Sequence, residues 1–156
     1  MTITKIISGG QTGADQGALD AAIAMGIDHS GWIPKGRLTE SGPLPEKYLL
    51  KEMPSKSYPK RTEKNILDSD GTVIISRGRL AGGSALTKKL ALQHGKPVLH
   101  INLKKISPKE ATGSIFAWTE MHRVAVLNVA GPRASKDPLI YEDVKAIVGG
   151  LLKEPR

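Results

Sequence analysis

Short apolar runs alternate with helical stripes along this chain, and that alternation constrains the fold more than any other feature. Thr2 to Ser8 is a β-rich run, and Ala14 to Met25 comes next as a helix, with Leu19, Ala22, Ile23 and Gly26 at helical spacing. Gly31-Trp32-Ile33 reads as a short second strand before Pro34. Residues 34–59 are proline-rich and show little periodicity. A loop that long in a compact domain is often a lid or binding loop. Lys60 to Asp68 predicts a helix, and Gly71 to Ser76 (GTVIIS) an apolar, buried strand. The helix-forming stretch Ser84 to His94 stops at Gly95 and Pro97. Pro97 to Leu103 is a strand again, and Ser107-Pro108 opens a helix with proline at its favoured first position. Val124 to Ala130 is the last strand, and Pro138 starts a closing helix whose Ile140, Val144, Ile147 and Leu151 form one stripe. Five such strands, apolar rather than alternating, predict a mainly parallel sheet between helical layers. The expectation is an α/β fold: one Rossmann-like three-layer domain over residues 1–156, with 34–59 as a lid.

The bulk numbers fit one domain. A chain of 156 residues can bury a sizeable core, and 39% hydrophobic with 24% charged residues is a globular balance. With no cysteine, disulfides, thiolate nucleophiles, Fe–S clusters and Cys-ligated zinc are excluded. The four histidines are scattered without metal-ligand spacing, so no metal site is expected. No apolar run approaches the roughly 18–20 residues that span a bilayer, and no signal segment is legible. A soluble, cytoplasmic protein with no membrane partner is expected. The net charge of +8 favours anionic partners. Nucleic acid is a poor candidate, because 4% aromatic residues make a weak stacking platform.

In an open parallel sheet, ligands bind beyond the carboxyl ends of the strands. The loop after each strand is therefore the place to look for chemistry. After the first comes Gly9-Gly10-Gln11-Thr12-Gly13, and after the second Pro34-Lys35-Gly36-Arg37. After the third comes Arg77-Gly78-Arg79-Leu80-Ala81-Gly82-Gly83-Ser84, and after the last Gly131-Pro132-Arg133-Ala134-Ser135-Lys136. Glycines let backbone N–H groups approach an anion, and a helix N-terminus adds unpaired donors and partial positive charge. Thr12 and Ser84 can cap those helices or donate to phosphate oxygens.

Each feature also has a structural reading. GGQTG lacks the Gly-Lys-Ser/Thr ending of a P-loop and the dinucleotide G-x-G-x-x-G, so it can exist only for close helix–sheet packing. Asp15 is either a first-turn acid favoured by the helix dipole or a ligand contact to a hydroxyl, an amine or a cation. Glu63, behind Arg61-Thr62, is either a solvated helix-start acid or a general base. Ser84 lacks the second glycine of a nucleophile elbow and a paired histidine. Trp32 and Trp118 read as core residues, Trp32 being the better placed to line a pocket.

The stretches "SGGQTGADQGALDAA", "GWIPKGR", "YPKRTEKNILDSDGTVI", "GGSALT" and "LNVAGPRASKDPLIY" together resemble the putative molybdenum carrier family. That family is described as a circularly permuted branch of the Rossmann-like superfamily containing the lysine-decarboxylase-like, cytokinin-riboside-monophosphate phosphoribohydrolase (LOG) proteins. The resemblance implies a small anionic, phosphorylated ligand, a nucleotide or the molybdenum cofactor. Its ligand loops would use Gly9, Gly10, Gln11, Thr12, Gly13, Gly82, Gly83 and Ser84, with Arg61, Thr62, Arg79 and Arg133 nearby. It also implies a homo-oligomer. The phosphoribohydrolases carry P-G-G-x-G-T-x-x-E, whereas Ala81 to Lys89 here ends without an acid. Two functions are then open: a carrier without chemistry, or a hydrolase of a glycosidic bond in which Glu63 or Asp15 activates water.

Overall fold

The computed structural model describes residues 2–153. The first half runs β1 (Lys5–Ile7), α1 (Ala14–Ala24), β2 (Asp28–Ser30), β3 (Trp32–Ile33), β4 (Leu38–Thr39), β5 (Gly42–Pro43), β6 (Lys51–Glu52) and α2 (Tyr58–Leu67). The second half runs β7 (Gly71–Ser76), α3 (Gly82–Gln93), β8 (Val98–Asn102), α4 (Pro108–His122), β9 (Val126–Ala130) and α5 (Ile140–Lys153).

Five strands make one sheet in the order β2-β1-β9-β7-β8, and every pairing in it is parallel. This is the expected single Rossmann-like α/β domain. Counted from β9 instead of β1, the order reads 3-2-1-4-5, the usual order of a doubly wound sheet. The last strand thus occupies the place the first strand holds in that arrangement. The point where strand order reverses falls between β9 and β7, and a ligand crevice is expected there.

Burial tracks the strand sequences. All six residues of β7 are buried, as befits a strand with neighbours on both sides and helices on both faces. Helices α1, α4 and α5 cover one face, where Ala18, Ala22, Ile115, Val144 and Ile147 pack with Ile6, Val73 and Leu127 of the sheet. Helices α2 and α3 contact each other and cover the other face. Two helix starts are written locally. The Ser57 hydroxyl accepts from the Lys60 N–H, and Ser107 with Glu110 forms a reciprocal capping box. Each such cap is worth about 1 kcal/mol.

The second strand differs from expectation. The strand that joins the main sheet is Asp28–Ser30, whereas Trp32–Ile33 turns away to pair with Lys51–Glu52. Gly31 separates them at φ 147°, where a Cβ would meet the Ser8 carbonyl oxygen at 2.0 Å. β2 is an edge strand made of Asp, His and Ser, so its sequence carries no apolar signal. Residues 34–59 are likewise more ordered than their lack of periodicity implies. Two-residue strands are too short to show a period, yet β4 and β5 form one small sheet and β6 pairs with β3 in another. Leu44, Tyr48 and Leu50 bury themselves against Leu19 and Ile33 in a second small core. Helix α3 begins at Gly82 rather than Ser84, which puts both glycines inside its first turn.

Candidate functional site

A cavity of about 510 Å³ opens at the expected reversal point, walled by the segments that come after β7 and β9. Its lining joins Gly82, Gly83 and Ser84 to Gly131, Arg133 and Asn128, and reaches Gly9, Gln11 and Asp15 behind β1. Arg61 and Thr62 of α2 complete it.

Helix α3 presents its N-terminus to this space. Its N-cap is Ala81, whose side chain makes no capping hydrogen bond. The N–H groups of Gly82, Gly83 and Ser84 therefore have no helical acceptor and are among the orphan donors of the first turn. A Cβ at Gly82 or Gly83 would meet nothing within 4 Å, so packing does not demand glycine at either, although Gly82 sits at φ 53°, where the backbone favours it. Helix α1 is different. Its Ala14 N–H donates to the Pro132 carbonyl, the Gln11 N–H to Asp15 Oδ2, and the Thr12 N–H to Gln11 Oε1. Three donors at the start of α1 are thus spent inside the protein, while the first residues of α3 line the cavity.

Arg61 supplies the strongest charge. It is 9% exposed, and its Nη1 donates to the Gly9 carbonyl. No carboxylate of the described residues closes a salt bridge with it, which leaves most of its five N–H donors for the cavity. Burial pushes its pKa down, opposed chiefly by the charge of Asp15, but a guanidinium stays protonated. Asp15 lies beside it: a Cβ on Gly9 would sit 2.5 Å from Arg61 Nη1 and 2.9 Å from Asp15 Oδ2. Only glycine leaves room for that approach. Burial pushes the Asp15 carboxyl up to about 6, against the pull of Arg61, the Gln11 N–H and Arg133. A buried acid perturbed this far beside a buried cation, in a cleft, is a common signature of a functional site.

The remaining predicted residues separate into two groups. Arg79, exposed, and Arg133, with its side chain 44% exposed, stand at the rim. Gly10, Thr12 and Gly13 do not line the cavity. Gly10 backs onto Leu50, Ile33 and Leu44, and Gly13 (φ 80°) backs onto the Pro132 carbonyl and the Ala134 N–H. Thr12 donates its hydroxyl to Glu40. Glu63 also lies outside the lining and pairs with His94 Nε2 at 2.9 Å, at the far end of α3. The Pro34–Arg37 segment does not reach the cavity either. Arg37 donates instead to the carbonyls of Tyr48 (3.0 Å), Leu50 (3.1 Å) and Pro45 (3.1 Å), bracing its own loop. Trp32 donates to Asp68 at 2.8 Å and is not a lining residue. Arg77 lines the cavity but is neutralised by Asp137 and Asp143.

Three residues with no predicted role matter here. Asn128, 3% exposed, interrupts the apolar run of β9 and lines the cavity. A lone amide in a buried strand was the available signal. Asn65 stands one helical turn after Arg61 and clamps the Trp32 backbone through both its amide atoms. Glu40 carried no signal at all. Its carboxylate accepts from the Ser135 N–H (3.0 Å), the Ser135 hydroxyl (2.6 Å) and Thr12, which ties residues 34–59 to two crest loops. Those hydroxyl bonds hold its carboxyl below the usual range.

The two kinds of glycine can be told apart by substitution. Gly13→Ala is expected to cost about 3 kcal/mol, because its φ is positive and its Cβ would meet backbone at 2.6 Å. Gly83→Val is expected to stay within about 1 kcal/mol of the parent in stability and to lose phosphorylated ligands. Thermal melts with calorimetric titration read both effects; a Gly83→Val protein that binds normally sinks the assignment of α3.

Fold and cavity together define an α/β domain of the doubly wound class, with its crevice at the reversal of strand order. The chain belongs to the circularly permutated YpsA SLOG family, whose sequence model matches residues 6–152. The permutation is visible in the sheet, as the displacement of β9 described above. Among solved structures the chain is similar to one described as a putative molybdenum carrier protein from Syntrophus aciditrophicus SB. The two share 58% identity over 97% of this chain and 96% of that one, with a TM-score of 0.95. No curated protein matches.

Proposed function

We propose that this protein binds and carries a phosphorylated, nucleotide-like or pterin ligand, the molybdenum cofactor among them, at the carboxyl edge of its sheet. One observation carries the reading. The uncapped start of α3 and the guanidinium of Arg61, which closes no salt bridge among the described residues, open into the same cavity. Buried charge and orphan N–H groups are costly unless something satisfies them, and an anion satisfies both. Phosphate on Gly82, Gly83 and Ser84 would take three backbone donors, with Arg79 and Arg133 adding charge at the rim. The name of the similar structure, a molybdenum carrier, agrees with a small-molecule cargo. A chain without cysteine would hold such a cofactor by its phosphate rather than through its metal.

A second reading rests on Asp15. Its carboxyl, raised to about 6, has the character of a general base for hydrolysis of a glycosidic bond. In that reaction Asp15 would take a proton from water, the water oxygen would bond to the sugar anomeric carbon, and the base would leave with the bonding pair. Glu63 is held away from the cavity by His94, so Asp15 is the acid this reading needs.

Thermal-shift measurements with AMP, GTP, ADP-ribose and molybdate test the site. A phosphorylated ligand at a hundredfold excess over its Kd stabilises by about 2.7 kcal/mol. No shift with any phosphorylated compound defeats both readings. Chromatography of nucleoside monophosphates after incubation separates them. Free base, abolished by Asp15→Asn, favours the hydrolase; binding without turnover favours the carrier.

A further inference from the structure

We propose that Glu40 is a positioning residue of the anion site: from the hairpin of β4 and β5 it ties down the loop after β9 and so holds Arg133 at the rim of the cavity. This role rests on the anion site proposed above, and it belongs to a residue outside the cavity lining.

The two residues after Arg133 are held from outside their own loop. The Ala134 N–H donates to the Thr12 hydroxyl at 3.2 Å, and the Ser135 N–H to Glu40 Oε1 at 3.0 Å. The Ser135 hydroxyl donates to Glu40 Oε2 at 2.6 Å. Thr12 in turn donates its hydroxyl to Glu40 Oε1. A hydroxyl has one proton, and placing it on Glu40 leaves the Thr12 lone pairs for the Ala134 N–H. Glu40 thus stands behind all of these bonds. Within the loop, the Arg133 carbonyl accepts from the Lys136 and Asp137 N–H groups. That turn fixes the loop's shape, while Glu40 and Thr12 fix its place against the cavity.

Glu40 is itself well anchored. Its N–H donates to Gln11 Oε1 at 2.9 Å. The turn of its hairpin is closed by the buried Thr39, whose hydroxyl donates to the Gly42 carbonyl at 2.6 Å and accepts from the Ser41 N–H at 3.1 Å. Arg133, by contrast, is exposed, and a long cationic side chain on an exposed loop samples many rotamers that a ligand has to order. With Ala134 and Ser135 fixed, the backbone that carries Arg133 is ordered before a ligand arrives. The Glu40 carboxylate, 4.0 Å from Arg133 Nη1, also draws the guanidinium to one side of its range. From there the charge of Arg133 reaches the deep residues, pulling down the pKa values of both Asp15 and Arg61.

A double-mutant cycle on the full chain, read by isothermal titration with ribose 5-phosphate and with inorganic phosphate, tests the proposal. Glu40→Ala should weaken ribose 5-phosphate about 10-fold in the parent and less than about twofold where Arg133 is already replaced by alanine, because nothing is left to position. Glu40→Gln should stay within about threefold of the parent: its oxygen accepts from Thr12 and the Ser135 N–H, and its NH2 donates to the Ser135 hydroxyl. Equal losses in both Arg133 backgrounds overturn the proposal. A Glu40→Ala protein that melts lower but binds normally overturns it too, and makes Glu40 a structural tie. If Glu40→Gln binds as poorly as Glu40→Ala, charge rather than the tie is at work, and the proposal falls while the anion site stands. If the parent binds neither probe, both fall. Should Glu40→Ala fail to fold, Ser135→Ala at an exposed position removes one bond of the tie and should show the same dependence on Arg133, at about threefold.

Discussion

Arg61→Met is expected to weaken binding of a phosphorylated ligand by at least ~100-fold while leaving the ligand-free protein no less stable. The guanidinium is buried with one carbonyl acceptor, Gly9, and no salt bridge among the described residues. The desolvation cost of the buried guanidinium is offset in part by its attraction to the Asp15 carboxylate, and an Asp15 left without the cation takes up a proton, so an apolar residue of similar length leaves the folded state about as stable. The ligand loses charge-assisted hydrogen bonds worth about 1.5–3 kcal/mol each, and two of them amount to ~100-fold or more. Arg61→Lys restores the charge without the planar fork and should fall between. Calorimetric titration and ligand-free melts check both halves. Unchanged affinity removes Arg61 from the site; a melt lowered by ~10 °C makes it a structural residue instead.

Asp15→Asn should make the ligand-free protein more stable at pH 8 and make no difference at acid pH. In the folded protein this carboxyl titrates at about 6 rather than 3.8, raised mainly by burial. The folded state therefore holds the proton more tightly than the unfolded chain. The stability this contributes is fully present below pH 3.8 and lost as pH rises through 6. A displacement of about two pH units corresponds to about 3 kcal/mol, or roughly 6–12 °C in a domain of this size. Asn keeps the oxygen that accepts the Gln11 N–H but carries no charge. The melting-temperature difference between variant and parent should open between pH 4 and pH 7. Glu40 and Glu110, whose carboxyls are held low, act in the opposite direction in both proteins and cancel in that difference. A difference that stays constant from pH 4 to pH 8 would show that burial of Asp15 is not the cause. If phosphate near Arg61 alters the titration, the same series repeated with ligand will move its midpoint.

Much of the domain was legible along the chain, because its signals are local. The buried strand GTVIIS, the helix start at Ser107-Pro108 and the apolar stripe Ile140-Val144-Ile147-Leu151 each depend on neighbours within a few positions. The crest loops were legible for a related reason: glycine before a helix is a local request for unusual backbone or close approach. What failed was whatever depended on partners far away. Asp28–Ser30 is a strand only because β1 pairs with it, and nothing in Asp-His-Ser announces that. Glu40 reaches Ser135 across 95 positions. Glu63 was open between a solvated helix-start acid and a base beside Arg61, and only the fold sets it against His94, outside the cavity lining.

The sequence alone determined the alternation of strands and helices, the concentration of glycine and cationic residues at the strand ends, and hence the expectation of an anion-seeking edge on a parallel sheet. These come from periodicity, turn chemistry and charge, which are properties of neighbouring residues. The tertiary structure alone decided which glycines face the cavity and which pack, because GGQTG and GGSA are equally open in one dimension. Gly10 and Gly13 press against other segments, while Gly82 and Gly83 meet nothing. It also decided the state of Asp15. A first-turn acid is ordinary on an exposed helix; beneath this cavity, beside Arg61 and out of water, the same carboxyl is expensive to ionise. The reason is physical: desolvation and steric room depend on everything that surrounds a residue, and the surroundings exist only once the chain has folded.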